Sequence, residues 1–329
     1  MKWKIVLLVA LLVVAAAAMF LFVSKRFQTA IISPLGKITE KPFEKYTIDN
    51  LSKRQYTGSQ IVLDAATATA SAYTVYSFHY FSDGKKVTGV AHIPNDASKA
   101  NKKPVIVQFR GYVDKDAYFP GEETEPSAKV YAANGFISLA PDFLGYGGSD
   151  ASSTDAFEDR FLTYTTALNL LASVPTLPMA DSTQVGIWGH SNGGQIALTV
   201  SEILNKPMPL VLWAPVSAPF PYSILYYSDE ADDHGKLLRR ETANFEAVYN
   251  ADLYSLTNYE DWIGGPVQLH QGTADDAVPV RWSDDLAATL KKEGRDVNYF
   301  TYPAADHNMS GSWNTVVARD IAFYTKYLK

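Results

Sequence analysis

The chain has no cysteine. That absence excludes disulfides, a thiolate nucleophile and cysteine-ligated metal sites. It also lacks a basic stripe: 29 Lys and Arg stand against 35 Asp and Glu, a net charge of −6, with the two signs interspersed. Binding to a phosphate backbone needs clustered positive charge, so no nucleic-acid partner is expected. Histidine is sparse, at six residues, which keeps the search for a general base short. No internal repeat is visible, so a repeat architecture is set aside. What remains is an ordinary globular composition, 47% hydrophobic over 329 residues, enough for one large core.

One apolar run stands out. It extends from Ile5 to Val23, with Lys2 and Lys4 before it and Lys25 and Arg26 after it. At the α-helical rise it measures roughly 28 Å, about the thickness of a bilayer's hydrocarbon core. Ala16 and Ala18 imitate a signal-peptidase site, but Met19–Val23 carries the apolar run past it. Residues 1–26 are therefore expected to anchor the chain in a membrane, with the body outside the cytoplasm. Secretion after signal cleavage is the alternative. Residues 27–72, with Pro34, Gly36 and Pro42, read as a linker and N-terminal extension.

From Tyr73 onward the pattern is regular. The runs Tyr73–Phe81 and Lys86–Ile93 flank Asp83-Gly84, a strong hairpin signal. Strands are then expected at Pro104–Phe109, Phe136–Ala140, Gln184–Trp188, Leu210–Trp213, Pro266–Gln271 and Val297–Tyr302. Helices are expected at Glu125–Asn134, Asp155–Ser173, Asn192–Leu204, Trp282–Lys292 and Ser312–Tyr327. Short apolar strands alternating with helices predict an α/β fold. Its sheet is mainly parallel, covered by helices on both faces, with the hairpin as an antiparallel edge. About 215–264 the rhythm breaks into a stretch without strand signals, read either as a small helical cap or as peripheral helices.

Gly189-His190-Ser191-Asn192-Gly193 fits Gly-x-Ser-x-Gly. The strand Val185–Trp188 leads in and a helical run from Gln195 leads out. A serine on so sharp a strand-to-helix turn is lifted above the sheet, and the helix N-terminus beneath it offers N–H groups to a developing oxyanion. This is the context of the α/β-hydrolase fold, in which the chain order is serine, acid, histidine. Only His234, His270 and His307 follow Ser191. His270 lies inside a strand and reads as packed structure, and His234 lies in the charged insertion. His307 follows the last strand in a loop, the place for the base. The acid falls in Gly272-Thr273-Ala274-Asp275-Asp276, where spacing does not choose between Asp275 and Asp276.

Taken together, these segments resemble the catalytic domain of the prolyl-oligopeptidase family and the dienelactone-hydrolase-like esterases near it. The segments that carry the resemblance are Gly189–Gly194, His270–Pro279, Tyr302–His307, Asp142–Ser149 and the hairpin Tyr80–Gly89, spanning residues 73–329. The resemblance implies that Asp275 is the acid. It implies an oxyanion hole at Asn192 N–H and Tyr112, through the Tyr112 N–H or the hydroxyl that serves in some family peptidases. Arg110-Gly111-Tyr112 departs from the His-Gly of many relatives. Arg110 is a candidate for a substrate carboxylate or a structural ion pair. Glu122, Glu123 and Glu125 are candidates for a substrate ammonium or a solvated acidic loop. Family peptidases usually carry a β-propeller ahead of this domain, so its absence from residues 1–72 favours an esterase-like enzyme. The expected function is a serine hydrolase of small esters, with a short-peptide peptidase or a catalytically silent, membrane-tethered binding protein as alternatives. The expected partners are a small ester or short peptide and, through Ile5–Val23, a membrane. No cofactor or metal is expected, because the triad supplies nucleophile, base and oxyanion stabilisation.

Overall fold

The hairpin forms as the Asp-Gly pair requires. Strands β2 (Tyr73–Ser82) and β3 (Lys85–Pro94) pair from Ser82↔Lys85 outward, and Asp83 and Gly84 both take positive φ, +52° and +81°. Those signs define the two-residue turn whose twist matches the strands. The structure, a computed structural model, describes residues 41–329. Its sheet has nine strands in the order β1-β2-β3-β5-β4-β6-β7-β8-β9. The others are β1 (Val62–Thr69), β4 (Lys103–Phe109), β5 (Ile137–Pro141), β6 (Ala180–His190), β7 (Leu210–Trp213), β8 (Val267–Gly272) and β9 (Val297–Tyr302). Pairing is antiparallel from β1 to β3 and between β3 and β5. It is parallel from β5 through β9. The expected α/β-hydrolase sheet is the one observed.

Among the described residues eight α-helices accompany it: α1 (Ile48–Lys53), α2 (Glu125–Ala133), α3 (Ala156–Ser173), α4 (Asn192–Leu204), α5 (Tyr222–Leu225), α6 (Lys236–Glu246), α7 (Val280–Lys292) and α8 (Trp313–Leu328). Strands buried on both faces need cover on both sides. Phe157, Phe161 and Leu168 of α3, Ile196 and Val200 of α4, and Leu286 and Leu290 of α7 belong to one core. Tyr131 of α2 and Val316, Phe323 and Tyr324 of α8 belong to the other, with Trp188 and Trp213. The start of α3 is fixed by Asp155, whose carboxylate accepts from the N–H groups of Phe157 and Glu158 at 2.9 and 3.0 Å. This is an N-cap.

The compact body begins at Phe43, earlier than residue 73. Tyr46, Ile48 and Leu51 are buried in the first core, and β1 adds an edge strand to β2. β1 is almost entirely exposed, so its sequence, Val-Leu-Asp-Ala-Ala-Thr-Ala-Thr, carries no alternation from which a strand could be read. Among the described residues no helix is long and apolar enough to cross a membrane; the Ile5–Val23 run lies outside them.

Within 215–264 there is no strand, as expected, but α5, α6 and short 3-10 turns. Phe245 of α6 stacks against Phe157 at 5.0 Å and Tyr254 against Phe161 at 5.1 Å. The segment is thereby built into the first core. Its opening stretch fastens to the acid side of the site: Ser217 Oγ donates to the Trp282 carbonyl at 2.9 Å and the Tyr227 hydroxyl to the Ala277 carbonyl at 3.2 Å.

Candidate active site

Ser191 sits between β6 and α4 with φ +56° and ψ −121°, a conformation that side-chain-bearing residues rarely hold. Four hydrogen bonds over-determine it. Its N–H donates to the Trp213 carbonyl at 3.0 Å, and its carbonyl accepts from the N–H groups of Gly194 and Val216, both at 3.0 Å, and of Gln195 at 3.3 Å. Helix α4 then passes so close to the end of β4 that a Cβ on Gly193 would lie 1.9 Å from the Phe109 carbonyl oxygen. The glycine is a packing requirement as much as a motif letter. Asn192 opens α4, so its N–H has no partner in the helix.

Asp275 and His307, the expected acid and base, lie on neighbouring loops after β8 and β9. His307 Nδ1 is 2.9 Å from Asp275 Oδ2. The other carboxylate oxygen accepts from the N–H groups of Ala277 and Val278 at 2.9 and 2.8 Å, and Gln271 Nε2 donates to Oδ2 at 2.9 Å. Burial pushes the Asp275 carboxyl up. The hydrogen bonds of His307, Val278 and Gln271 outweigh that and hold it below its ordinary value. Asp276 is exposed. The two loops are laced together: Ala274 N–H donates to the Ala305 carbonyl at 2.9 Å, and Thr273 N–H to the Tyr302 carbonyl at 3.0 Å. A Cβ on Gly272 would lie 2.4 Å from the carbonyl oxygens of Ala305 and Asp306.

The chain leaving β4 runs directly past the nucleophile. A Cβ on Gly111 would stand 3.1 Å from Ser191 Cβ, and Tyr112 is the next residue. The Tyr112 ring is 75% exposed. Arg110 turns away. It is 5% exposed, and its guanidinium stacks on Tyr146 at 4.0 Å and Tyr118 at 4.5 Å. It also donates to the carbonyls of Gly111 (2.8 Å) and Asp142 (3.3 Å). This corrects the expectation of a substrate-binding Arg110: the cation is committed to ring faces and carbonyls. The Asp142 motif is structural in the same way. Its buried carboxylate accepts from the hydroxyls of Thr88 and Tyr118.

Two further polar residues belong to the site: His190, to which the sequence assigns no role, and Glu123, which it offers only as an ammonium contact or as part of a solvated loop. His190 Nε2 lies 3.1 Å from the His307 carbonyl oxygen and Nδ1 lies 3.4 Å from Glu123 Oε2. Its ring stacks on that of His307 with centroids 4.6 Å apart. Glu123 Oε2 also accepts from Gly111 N–H at 2.6 Å, so at Glu123 the acidic loop is bound rather than solvated. The alternation of β6 held a usable signal, because His190 shares a face with Trp188 two residues earlier. Nothing in the spacing of Glu123 pointed to it. Of the remaining histidines, His234 is exposed. His270 is a packed core residue, as read: its nitrogens meet Tyr302 Oη at 2.7 Å and Asp320 Oδ1 at 2.9 Å.

A strained serine at a strand-to-helix turn, with a histidine–aspartate pair on the loops that follow, can be set against known proteins. The sequence profile of the prolyl oligopeptidase family matches residues 123–329. The chain belongs to that family. Family membership, with the esterases and peptidases among its likenesses, makes it a serine hydrolase. Among curated proteins it is similar to the uncharacterized peptidase YtmA of Bacillus subtilis. The two are 24% identical over 256 residues, 77% of this chain and 93% of that one. Among solved structures it is similar to acetyl xylan esterase 1 from Thermoanaerobacterium sp., with a TM-score of 0.63 and 17% identity over 88% of this chain and 94% of that one. It is also similar to a puromycin-hydrolyzing peptidase from Mycobacterium tuberculosis, with a TM-score of 0.62 and 18% identity over 80% of this chain and 41% of that one. These two likenesses concern the fold.

Proposed function

We propose that this prolyl-oligopeptidase-family hydrolase cleaves small acyl esters through an acyl-enzyme on Ser191. The observation that carries the reading is the 2.9 Å contact between His307 Nδ1 and Asp275 Oδ2, together with a serine held at φ +56° on the turn from β6 into α4. With Nδ1–H pointed at the carboxylate, Nε2 is the basic nitrogen and takes the Ser191 proton as Oγ attacks the acyl carbon. The carbonyl oxygen becomes an oxyanion, stabilised by the N–H groups of Asn192 and Tyr112. Collapse expels the alcohol, which leaves with the proton from His307. Water then attacks the acyl-enzyme, again giving up its proton to His307, and the acid is released as Ser191 recovers its own. Asp275 stays ionised throughout; its lowered pKa supports that role.

A small substrate suits the surroundings. Val216, Val278 and Trp282 form an apolar cluster beside the acid loop, and the Val216 N–H is bonded to the Ser191 carbonyl. The second reading is a peptidase of short peptides, supported by the family itself. The apolar run Ile5–Val23 supports a body tethered to a membrane on its outer side, where exported or environmental esters would be met.

The test uses the full chain. A fluorophosphonate should label wild type once per active site and leave Ser191→Ala unlabelled. Turnover of a p-nitrophenyl ester should exceed that of an aminoacyl p-nitroanilide. Failure of wild type to label would leave a silent binding protein, and faster cleavage of the anilide would move the enzyme to the peptidases.

A further inference from the structure

From the contacts around Glu123 we infer that this residue is a positioning residue, a clamp joining the oxyanion loop, the nucleophile turn and the base loop. The inference rests on the serine-hydrolase reading above. One carboxylate oxygen, Oε2, accepts the Gly111 N–H at 2.6 Å and faces His190 Nδ1 at 3.4 Å. His190 in turn meets the His307 carbonyl at 3.1 Å. Gly111 precedes Tyr112, His190 precedes Ser191, and His307 is the base. Each contact therefore lands on, or next to, one working part.

The fit around Gly111 is tight. A Cβ there would lie 2.8 Å from Glu123 Oε2 and 3.1 Å from Ser191 Cβ. The carboxylate and the nucleophile thus both crowd Gly111. With its N–H given to Glu123, Gly111 is held in one orientation, directly before the residue whose N–H is proposed for the oxyanion. Both nitrogens of His190 face oxygens, a carboxylate and a carbonyl, so the ring bridges Glu123 and the base loop.

The backbone points the same way. Glu123 holds φ +63° directly after a turn at Gly121, a conformation for which glycine is the cheaper residue. A side-chain-bearing residue held in this strained region fits a side chain that holds its neighbours in place. Burial alone would push this carboxyl up. The His190 hydrogen bond and charge, the Gly111 N–H and the charge of His307 hold it below its ordinary value, so it is an ionised acceptor at neutral pH.

A clamp acts on the geometry of reaction and not on substrate binding. Displacing oxyanion donors or a base by a fraction of an ångström costs turnover of about tenfold to a hundredfold. In the full chain, Glu123→Ala should lower kcat on p-nitrophenyl acetate by about 10–100-fold with KM within about threefold. Glu123→Gln keeps an acceptor for Gly111 and should recover at least half of that loss on a logarithmic scale. Active-site titration with a fluorophosphonate corrects each kcat for the folded, reactive fraction. Glu123→Ala within about threefold of wild type overturns the clamp, as does a loss confined to KM, which would make Glu123 a substrate contact. If Glu123→Ala does not fold, His190→Phe decides: it keeps the ring against His307 but removes both nitrogens. Its kcat should fall at least tenfold; a wild-type kcat overturns the proposal. A wild type that neither labels nor turns over would instead sink the serine-hydrolase reading, so the two failures are distinct.

Discussion

Two histidine–aspartate pairs in this molecule have the same length and opposite fates. His307 and Asp275 meet at 2.9 Å, and so do His270 and Asp320. The second pair lies wholly inside, both side chains at 0% exposure. Asp320 also accepts from Gln268, Tyr131 and Trp213, each at 2.9 Å, and the other nitrogen of His270 is taken by Tyr302. Both oxygens of Asp320 and both nitrogens of His270 have internal partners, as buried polar groups must to avoid a desolvation penalty. In the first pair the carboxylate is equally hidden, but the histidine stands 16% exposed on the loop that follows β9. A histidine–carboxylate pair is therefore no catalytic signature by itself. What separates base from brace is whether the far nitrogen is left for a reactant.

Breaking each pair should expose that difference. The largest effect is expected from Ser191→Ala or His307→Ala, with turnover of an activated ester falling by about 10⁴–10⁶-fold while the urea unfolding midpoint barely moves. Wild-type rates in either folded variant would remove the mechanism. Next comes the acid: Asp275→Asn should cost about 10³–10⁴-fold in kcat/KM, because the histidine then loses its tautomer. Asp276→Asn, at the exposed neighbour, should cost less than about threefold; the reverse order would transfer the role to Asp276. For the core pair the readout changes. Asp320→Ala should lower unfolding free energy by about 3–5 kcal/mol by stranding four donors, with kcat per active site within about threefold. Equal damage to kcat would mean that the buried pair talks to the site.

The smallest expected effect belongs to a third buried acid cluster, one with no histidine in it. Glu202 is fully buried, and neither carboxylate oxygen has a hydrogen-bond partner among the described residues. Burial, and then the nearby Glu260 and Asp261, push its pKa well up; burial pushes Glu260 up to about 7. Both folded values lie above the unfolded one near 4.3. Their contribution to stability is therefore complete below about pH 4.3 and is lost as pH rises, for Glu260 through about pH 7. Glu202→Gln should flatten that loss and stabilise the protein at pH 8 by about 1–2 kcal/mol, relative to its effect at pH 5, in urea unfolding. Stability that rises with pH over this range in wild type would contradict the assignment.

Much of this was legible in the sequence because parallel strands and the nucleophile turn leave local traces. The strand Leu210–Trp213 and the helix Asn192–Leu204 are found where patterning put them, since fully buried strands read as apolar runs and glycines punctuate the turn. Chain order places the acid and base loops, and the family resemblance picks Asp275 over Asp276, 32 positions before His307. Their meeting, like that of Glu123 with His190, is a product of tertiary packing that no spacing encodes. β1 was invisible for the opposite reason: its order comes from pairing with β2, and its own side chains bury almost nothing. Arg110 misled because a cation beside an active site looks available until its neighbours, Tyr118 and Tyr146, are seen to enclose it.

The close seat of Gly272 against Ala305 and Asp306 has a consequence for swapping parts between relatives. Acid and base are carried on two segments far apart in the chain, yet the hydrogen bonds from Thr273 and Ala274 make them one mechanical piece. A chimera that imports a foreign segment for residues 303–312 alone inherits a base aimed at an acid loop shaped for a different partner. Grafting residues 272–279 together with 303–312 moves the whole piece, with its hinge-free internal geometry. The exchangeable unit in this hydrolase is thus the loop pair, and diversification of its pH response must act on both halves at once.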